Sequence, residues 1–188
     1  SFFVKKTQIR KKILKKRKYF SSKDIKINFS KLIKLLNREI SSKKIGIYYP
    51  IATEVSTIRL IENLRNKKYI ISLPVIEKNF KMSFYEWKEN SALKINNFGI
   101  PEPFKIKKIT PSALIIPTVA FDANLNRLGY GGGFYDRFIN KMERSKKILK
   151  IGLALSCQKI NKVPTNKFDK KMDYIFTENK VYKWKYSF

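Results

Sequence analysis

A three-layer α/β domain built on a mostly parallel sheet is what this sequence predicts, and three observations carry the prediction. Short apolar, β-branched runs such as residues 45–49 and 114–117 alternate with longer stretches of helical periodicity. Proline punctuates those runs at Pro50, Pro74 and Pro117, as expected where a buried strand stops. The chain has 188 residues, of which 43% are hydrophobic, and that supplies one domain with a real core.

The elements follow in order. Over residues 3–19, Val4, Ile9, Ile13 and Leu14 recur at helical intervals among lysines, which predicts an amphipathic basic helix lying across the surface. Leu32, Ile33, Leu35, Leu36 and Ile40 give residues 29–40 the same period, and Ser41 and Ser42 break it. Residues 45–49 read as a buried strand. Thr53 or Ser56 is positioned to cap a helix carrying Val55, Ile58, Leu60, Ile61 and Leu64, and residues 69–73 return as a strand ended by Pro74. Strand, helix and strand in that order form a βαβ unit, whose long crossover implies parallel strands. Residues 82–87 read as a strand or edge segment. Residues 96–103, rich in Asn, Gly and Pro, read as a fixed loop. The sheet resumes at 114–117, a helix covers 135–142, strands cover 148–155 and 174–177, and residues 181–186 close the edge. Right-handed crossovers then place helices on both faces of one sheet, a Rossmann-like single domain over residues 1–188. No internal repeat or low-complexity linker divides it.

Charge bounds the partners. Forty-two Lys and Arg against 14 Asp and Glu give a formal +28, which attracts polyanions. Nucleic acid is therefore a rival partner. The cations are spread from Lys5 to Lys185, however, and accompany Ile, Asn, Phe and Tyr, a mixture that AT-rich codons produce without selection for binding. We read most of the charge as a solvated face and expect no specific nucleic acid. No zinc-ligand spacing, helix-turn-helix pattern or aromatic RNA-binding strand motif accompanies it. No run of eighteen apolar residues exists and the first helix is too charged for a secretory signal, so no membrane association is expected. The single cysteine, Cys157, suits a reducing compartment and reads as a small apolar residue in a strand. A cytoplasmic monomer is the expectation.

Absent residues narrow the chemistry further. With no histidine, Ser-His-Asp and Cys-His nucleophile systems, histidine metal sites and a histidine general base are all impossible. No P-loop pattern occurs, and the glycines at 129–133 lack the dinucleotide-binding spacing.

What remains is concentrated in residues 116–137. Four of seven glycines, Gly129, Gly131, Gly132 and Gly133, fall together just before a predicted helix, leaving backbone N–H groups uncovered beside a helix N-terminus. A bare glycine cluster is commonly a surface turn. Here Arg127 and Arg137 flank it and Asp122 and Asp136 bracket it, the cations and carboxylates that a magnesium nucleotide needs.

Pro117-x-x-Ala-Phe-Asp122 followed by Arg127-Leu-Gly-Tyr-Gly-Gly-Gly-Phe-Tyr-Asp136 resembles the signature of the 5-formyltetrahydrofolate cyclo-ligase family. The likeness continues along nearly the whole chain. Lys6-x-x-x-Arg10 looks like the family's nucleotide-contacting pair, Glu54 like its folate-contacting acid, Ile100-Pro-Glu-Pro103 like the loop beside the folate, and Val163-Pro-x-x-x-x-Asp169 like its C-terminal acidic motif. Departures are Phe134, where tyrosine is frequent, and Phe98, where the aromatic varies; the lysine excess is not a family trait.

The resemblance implies ATP-dependent cyclisation of 5-formyltetrahydrofolate to 5,10-methenyltetrahydrofolate, with ADP and phosphate released after phosphorylation of the formyl oxygen. It implies that Lys6, Arg10, Arg127, Leu128, Gly129, Tyr130, Gly131, Gly132, Gly133, Phe134 and Tyr135 hold ATP. Arg127 and Asp136 act in catalysis, and Asp136 and Asp169 reach Mg2+. Tyr49, Glu54, Ile100, Tyr130 and Phe134 face the folate, which is conjectured to be polyglutamylated. Phosphoryl transfer demands positioning and charge neutralisation more than acid–base work, so a histidine-free chain can perform it. By the residues alone, Lys6 and Arg10 read as ordinary helix-surface charge, a reading that only the resemblance reverses, while Asp169 reads equally as a cap and Tyr49 as core. A different MgATP-dependent phosphotransferase built on the same glycines is the other enzymatic reading.

Overall fold

The computed structural model describes residues 2–21, 23 and 25–184. Lys185 and Tyr186, the latter the expected end of the last strand, lie outside the described residues. Four helices, α1 (Phe2–Ser21), α2 (Phe29–Glu39), α3 (Ile58–Asn66) and α4 (Phe134–Met142), surround the main sheet. In chain order the sheet strands are β1 (Lys44–Ile47), β2 (Ile70–Ile76) and β3 (Met82–Glu86); β4 (Leu93–Ile95) and β5 (Pro101–Pro103) form a separate hairpin. The sheet continues with β6 (Lys108–Ile109) and β7 (Ala113–Pro117), is interrupted by a second hairpin of β8 (Ala120–Phe121) and β9 (Arg127–Leu128), and ends with β10 (Leu149–Leu153), β11 (Tyr174–Phe176) and β12 (Val181–Lys183).

The spatial order is β12-β11-β10-β7-β1-β2-β3-β6, parallel from β11 through β2 and antiparallel at both edges. Alternation along the strands builds two apolar layers. Ile45, Ile47, Ile71, Leu73, Ile115 and Leu153 share a core with Leu32 and Leu36 of α2 and Leu60, Ile61 and Leu64 of α3. Leu114, Ile116, Phe84 and Ile175 share the opposite one with Ile139 of α4. The predicted three-layer α/β arrangement is thus present, with helices on both faces.

The chain runs outward from β1 to β2 and then returns to β7 on the other side of β1. That reversal opens a crevice at the carboxyl ends of β1 and β7, where open α/β sheets bind ligands. Helix α1 closes over it: Ile13 packs with Val119, Ala120, Leu128 and Val163.

Several expectations change. Strand β2 runs through Pro74 to Ile76. The Ile76 N–H turns away from β3 to the Glu102 carboxylate (2.7 Å), so Pro74, two residues earlier, faces the same side. Its β1 neighbour has already ended, because Gly46 pairs with Ser72 in the last rung, and the missing N–H costs no ladder bond. Helix α3 starts at Ile58, leaving Val55 outside; Thr57 occupies the cap position, but its hydroxyl donates to the Tyr48 carbonyl (2.8 Å) instead of serving the helix. Residues 96–103 are a loop only as far as Ile100; Pro101–Pro103 pairs with β4. Buried Glu102 fixes that hairpin by accepting from Ile76 N and from Asn96 Nδ2. Val4 is exposed, and Cys157 lies in a 3-10 turn after β10, half-buried, where burial pushes its thiol up.

Candidate active site

The glycine loop sits above Arg127. This side chain is buried, donates from Nε to the Pro117 carbonyl (2.9 Å) and lies with its guanidinium carbon 5.3 Å from the Tyr135 ring centroid. A Cβ on Gly129 would stand 2.8 Å from Nη2 of Arg127, so only glycine lets the loop lie this close to the cation. Arg10 donates from Nε to the Gly129 carbonyl (2.7 Å) and faces Gly131. Arg137 donates to the Gly132 carbonyl (2.7 Å) and the Phe80 carbonyl (3.0 Å) and lies over the Phe134 ring. Gly133 then starts α4 in the left-handed region (φ 68°), with no side chain capping the helix. Three guanidiniums and an open helix N-terminus therefore surround one short loop, which concentrates positive potential where an anion can approach the backbone.

The cations from α1 arrive there through helical geometry. At 3.6 residues per turn, positions 6, 10, 13 and 17 fall within about 60° of arc. Lys6, Ile13 and Arg17 are buried, while Arg10 is half-buried. The Lys6 ammonium pairs with Asp169 Oδ2 (2.7 Å) and thereby ties α1 to the turn before β11. Arg17 donates to Tyr130 OH (2.8 Å) and Thr53 Oγ1 (3.0 Å). Sequence reasoning missed Arg17, although its eleven-residue spacing from Lys6 marks the same face.

Two carboxylates converge on the loop from the other side. Asp136, in the first turn of α4, accepts from the Lys170 backbone N–H (3.0 Å), and Asn140 of the same helix donates to the Phe168 carbonyl (3.1 Å). The segment carrying Asp169 is thus held against α4. Glu143 strengthens the junction by pairing with Lys170 Nζ (2.9 Å) and with Lys150. Burial pulls the Arg127 guanidinium down from its ordinary value, while the nearby charges of Asp136 and Asp169 are among those pushing it back up. Arginine nevertheless stays protonated. Asp122, expected to bracket the loop as a cation partner, is committed elsewhere: its oxygens accept from Asn124 N, Asn126 N, Asn126 Nδ2 and Val163 N.

Across the crevice, the residues following β1 carry Glu54. Glu54 accepts from Ile51 N (2.8 Å) and lies close to the Tyr130 hydroxyl. Burial raises its carboxyl above the usual range, opposed by the Ile51 hydrogen bond, by the neighbouring Tyr130 and by the charges of Arg17 and Arg127. Tyr130 is pushed up to about 12 by burial and by Glu54, and burial raises Tyr135 further, against the pull of Arg127. Both stay neutral hydroxyls at physiological pH. Phe98, from the loop before β5, meets Phe134 edge-on at 6.4 Å, so the 96–100 loop reaches the glycine loop. Tyr49 instead packs edge-on against Trp87 (5.7 Å), half-buried at the crevice wall.

The 5-formyltetrahydrofolate cyclo-ligase family profile matches residues 3–178, which contain all of these groups. The chain belongs to this family. Among its relatives, the 5-formyltetrahydrofolate cyclo-ligase of Haemophilus influenzae is 36% identical over 135 residues, covering 68% of this chain and 72% of that protein. That of Escherichia coli is 30% identical over 152 residues, covering 77% and 83%. The solved structure of 5,10-methenyltetrahydrofolate synthetase from Aquifex aeolicus superposes with a TM-score of 0.76 at 32% identity, covering 96% of this chain and 93% of that one. Membership implies ATP as co-substrate and a ligase reaction.

Within this family member, the sequence-predicted residues fall into three groups. Lys6, Arg10, Arg127, Gly129, Tyr130, Gly131, Gly132, Gly133, Phe134, Asp136 and Asp169 come together at the loop. Glu54 lies beside them, next to Thr53 that Arg17 ties to Tyr130, and Ile100 and Tyr49 border the crevice. Leu128 does not line the site: its side chain is buried against Ile13, and its carbonyl accepts from Val119 N. Tyr135 contributes its ring as the platform beneath Arg127. Gly131 holds φ at 106°, and a Cβ there would stand 3.3 Å from the Arg10 guanidinium carbon. Gly131→Ala is accordingly expected to raise the KM for ATP about 10-fold while leaving the KM for the second substrate nearly unchanged, as steady-state kinetics in each substrate will show.

Proposed function

We propose that residues 1–188 act as one catalytic domain that cyclises 5-formyltetrahydrofolate to 5,10-methenyltetrahydrofolate at the expense of ATP. The observation that carries this reading is the bridge made by Arg17, which donates both to Tyr130 of the cation-ringed glycine loop and to Thr53 beside Glu54 and so puts an anion cradle and an acid-bearing crevice side by side. The loop amides of 129–133 with Lys6, Arg10 and Arg127 hold the triphosphate. Glu54 accepts the paired N–H donors of the amino-pterin edge, and Tyr49, Ile100, Phe134 and Tyr130 supply its walls.

In this arrangement the formyl oxygen attacks the γ-phosphorus, the bond to the β–γ bridging oxygen breaks, and ADP leaves. The oxygen is now a phosphate ester, so the second folate nitrogen attacks the formyl carbon and closes the ring, its N–H proton passes to the phosphate or to water, and the C–O bond breaks to release inorganic phosphate and leave the methenyl cation. Arg127 neutralises charge that grows during the first step; the protein need supply no base. Among the described residues no three His, Cys, Asp or Glu side chains form a protein-only metal cage. Asp136 and Asp169 fit Mg2+ instead, a cation held through one or two carboxylates, water and substrate phosphates. When bound, Mg2+ supplies charge neutralisation on the phosphates.

An open cavity of about 290 Å³ beside Glu54 is lined in part by Lys23, Lys26 and Arg59. These cations support binding of the anionic folate tail, including polyglutamate forms; turnover of mono- and polyglutamates at two salt concentrations tests that preference. Among the described residues no helix is long and apolar enough to cross a membrane. We place the enzyme in the cytoplasm as a monomer.

Purified protein with MgATP and 5-formyltetrahydrofolate is expected to release ADP only when the folate is present, with methenyltetrahydrofolate absorbance rising in step. Neither signal appearing contradicts the reading. Glu54 also sets a pH dependence. Its carboxyl is raised by burial and must be ionised to accept the pterin N–H groups, so kcat/KM for the folate falls as pH drops, with a midpoint above the ordinary glutamate value of about 4.3. A pH profile of kcat/KM locates that limb.

A further inference from the structure

Arg17 is a cation only 2% exposed, yet its two hydrogen bonds go to hydroxyls and not to a carboxylate. Burying a charge is expensive unless an opposite charge compensates it. Glu54 is a carboxylate that interacts with it through charge. Arg17 Nη2 donates to Tyr130 OH at 2.8 Å, and Arg17 Nε donates to Thr53 Oγ1, on the residue before Glu54, at 3.0 Å. Tyr130 in turn stands between Gly129 and Gly131, whose conformation any nucleotide bound at the loop must engage.

We propose that Arg17 is a positioning residue that couples the two substrate sites, tying the Tyr130 hydroxyl of the glycine loop to Thr53 beside Glu54 so that ordering of the glycine loop by ATP also sets the folate-binding acid in place. The proposal rests on the function proposed above. A cation serving the fold alone makes a different prediction: its loss lowers stability and leaves communication between the sites unchanged.

The test measures 5-formyltetrahydrofolate affinity with and without a nonhydrolysable ATP analogue and Mg2+, for wild type, R17K, Y130F and R17K/Y130F. The analogue is expected to tighten folate binding on the order of 10-fold in wild type and less than about 2-fold in each variant, with the double variant no worse than the weaker single one. No tightening in wild type, tightening retained in the variants, or independent and additive losses each overturn the proposal. Should R17K fail to fold, Y130F decides alone, because it removes one hydroxyl from a half-exposed ring. Turnover is recorded on the same wild-type preparation. Absent turnover removes the function itself, whereas turnover with coupling indifferent to Y130F removes only the role of Arg17.

Discussion

Arg127→Ala is expected to lower kcat/KM for ATP by about 10³-fold, roughly 4 kcal/mol of transition-state stabilisation. The magnitude follows from burial. A guanidinium held by the Pro117 carbonyl and the face of Tyr135 has no conformational freedom left to lose when a phosphate arrives, and its charge acts through little water. Arg127→Lys keeps the charge but loses the planar group that reaches both Pro117 and the loop, so most of the activity is expected to go with it. Arg127→Ala also leaves the Pro117 carbonyl without its partner and lowers the melting temperature. Kinetics measured well below that temperature separate the two effects; a loss smaller than about 10-fold removes Arg127 from the chemistry.

Asp136→Asn is expected to reduce kcat by about 10²-fold and to raise the Mg2+ concentration needed for half-maximal rate, with a melting temperature close to wild type. An asparagine oxygen can still accept from Lys170 N, and the amide forfeits only the modest attraction of a carboxylate to the α4 N-terminus, roughly 0.3–1 kcal/mol. The lost negative charge matters where a divalent cation has to be held. Magnesium titrations of rate alongside thermal melts distinguish these outcomes, and an unchanged rate excludes Asp136 from the site.

The parts of this molecule that were legible in its sequence are those governed by local rules. Helices α1 and α2 announced themselves by period, and the β1-α3-β2 crossover by its order of elements. The glycine loop was legible because its four glycines and flanking arginines are contiguous in the chain. Features set by tertiary partners were not. Pro74 looks like a terminator, yet it sits inside β2 because the neighbouring strand has already ended. Hairpins β4–β5 and β8–β9 are too short to show a period. Asp122 resembled a cation ligand until its oxygens were seen to be occupied by the backbone and side chain of the loop it closes and by Val163. Arg17 shares its helical register with Lys6 and Arg10, but only the fold reveals that this face of α1 turns toward Tyr130.

The account stands on the glycine loop as the seat of the triphosphate. Backbone amide resonances of Gly129, Gly131, Gly132 and Gly133, followed by NMR as a nonhydrolysable ATP analogue and Mg2+ are added, test this most directly. Saturable shifts at those amides, with a midpoint that matches the nucleotide affinity measured independently, are the predicted result. Nucleotide binding of the same affinity with these four amides unmoved contradicts it.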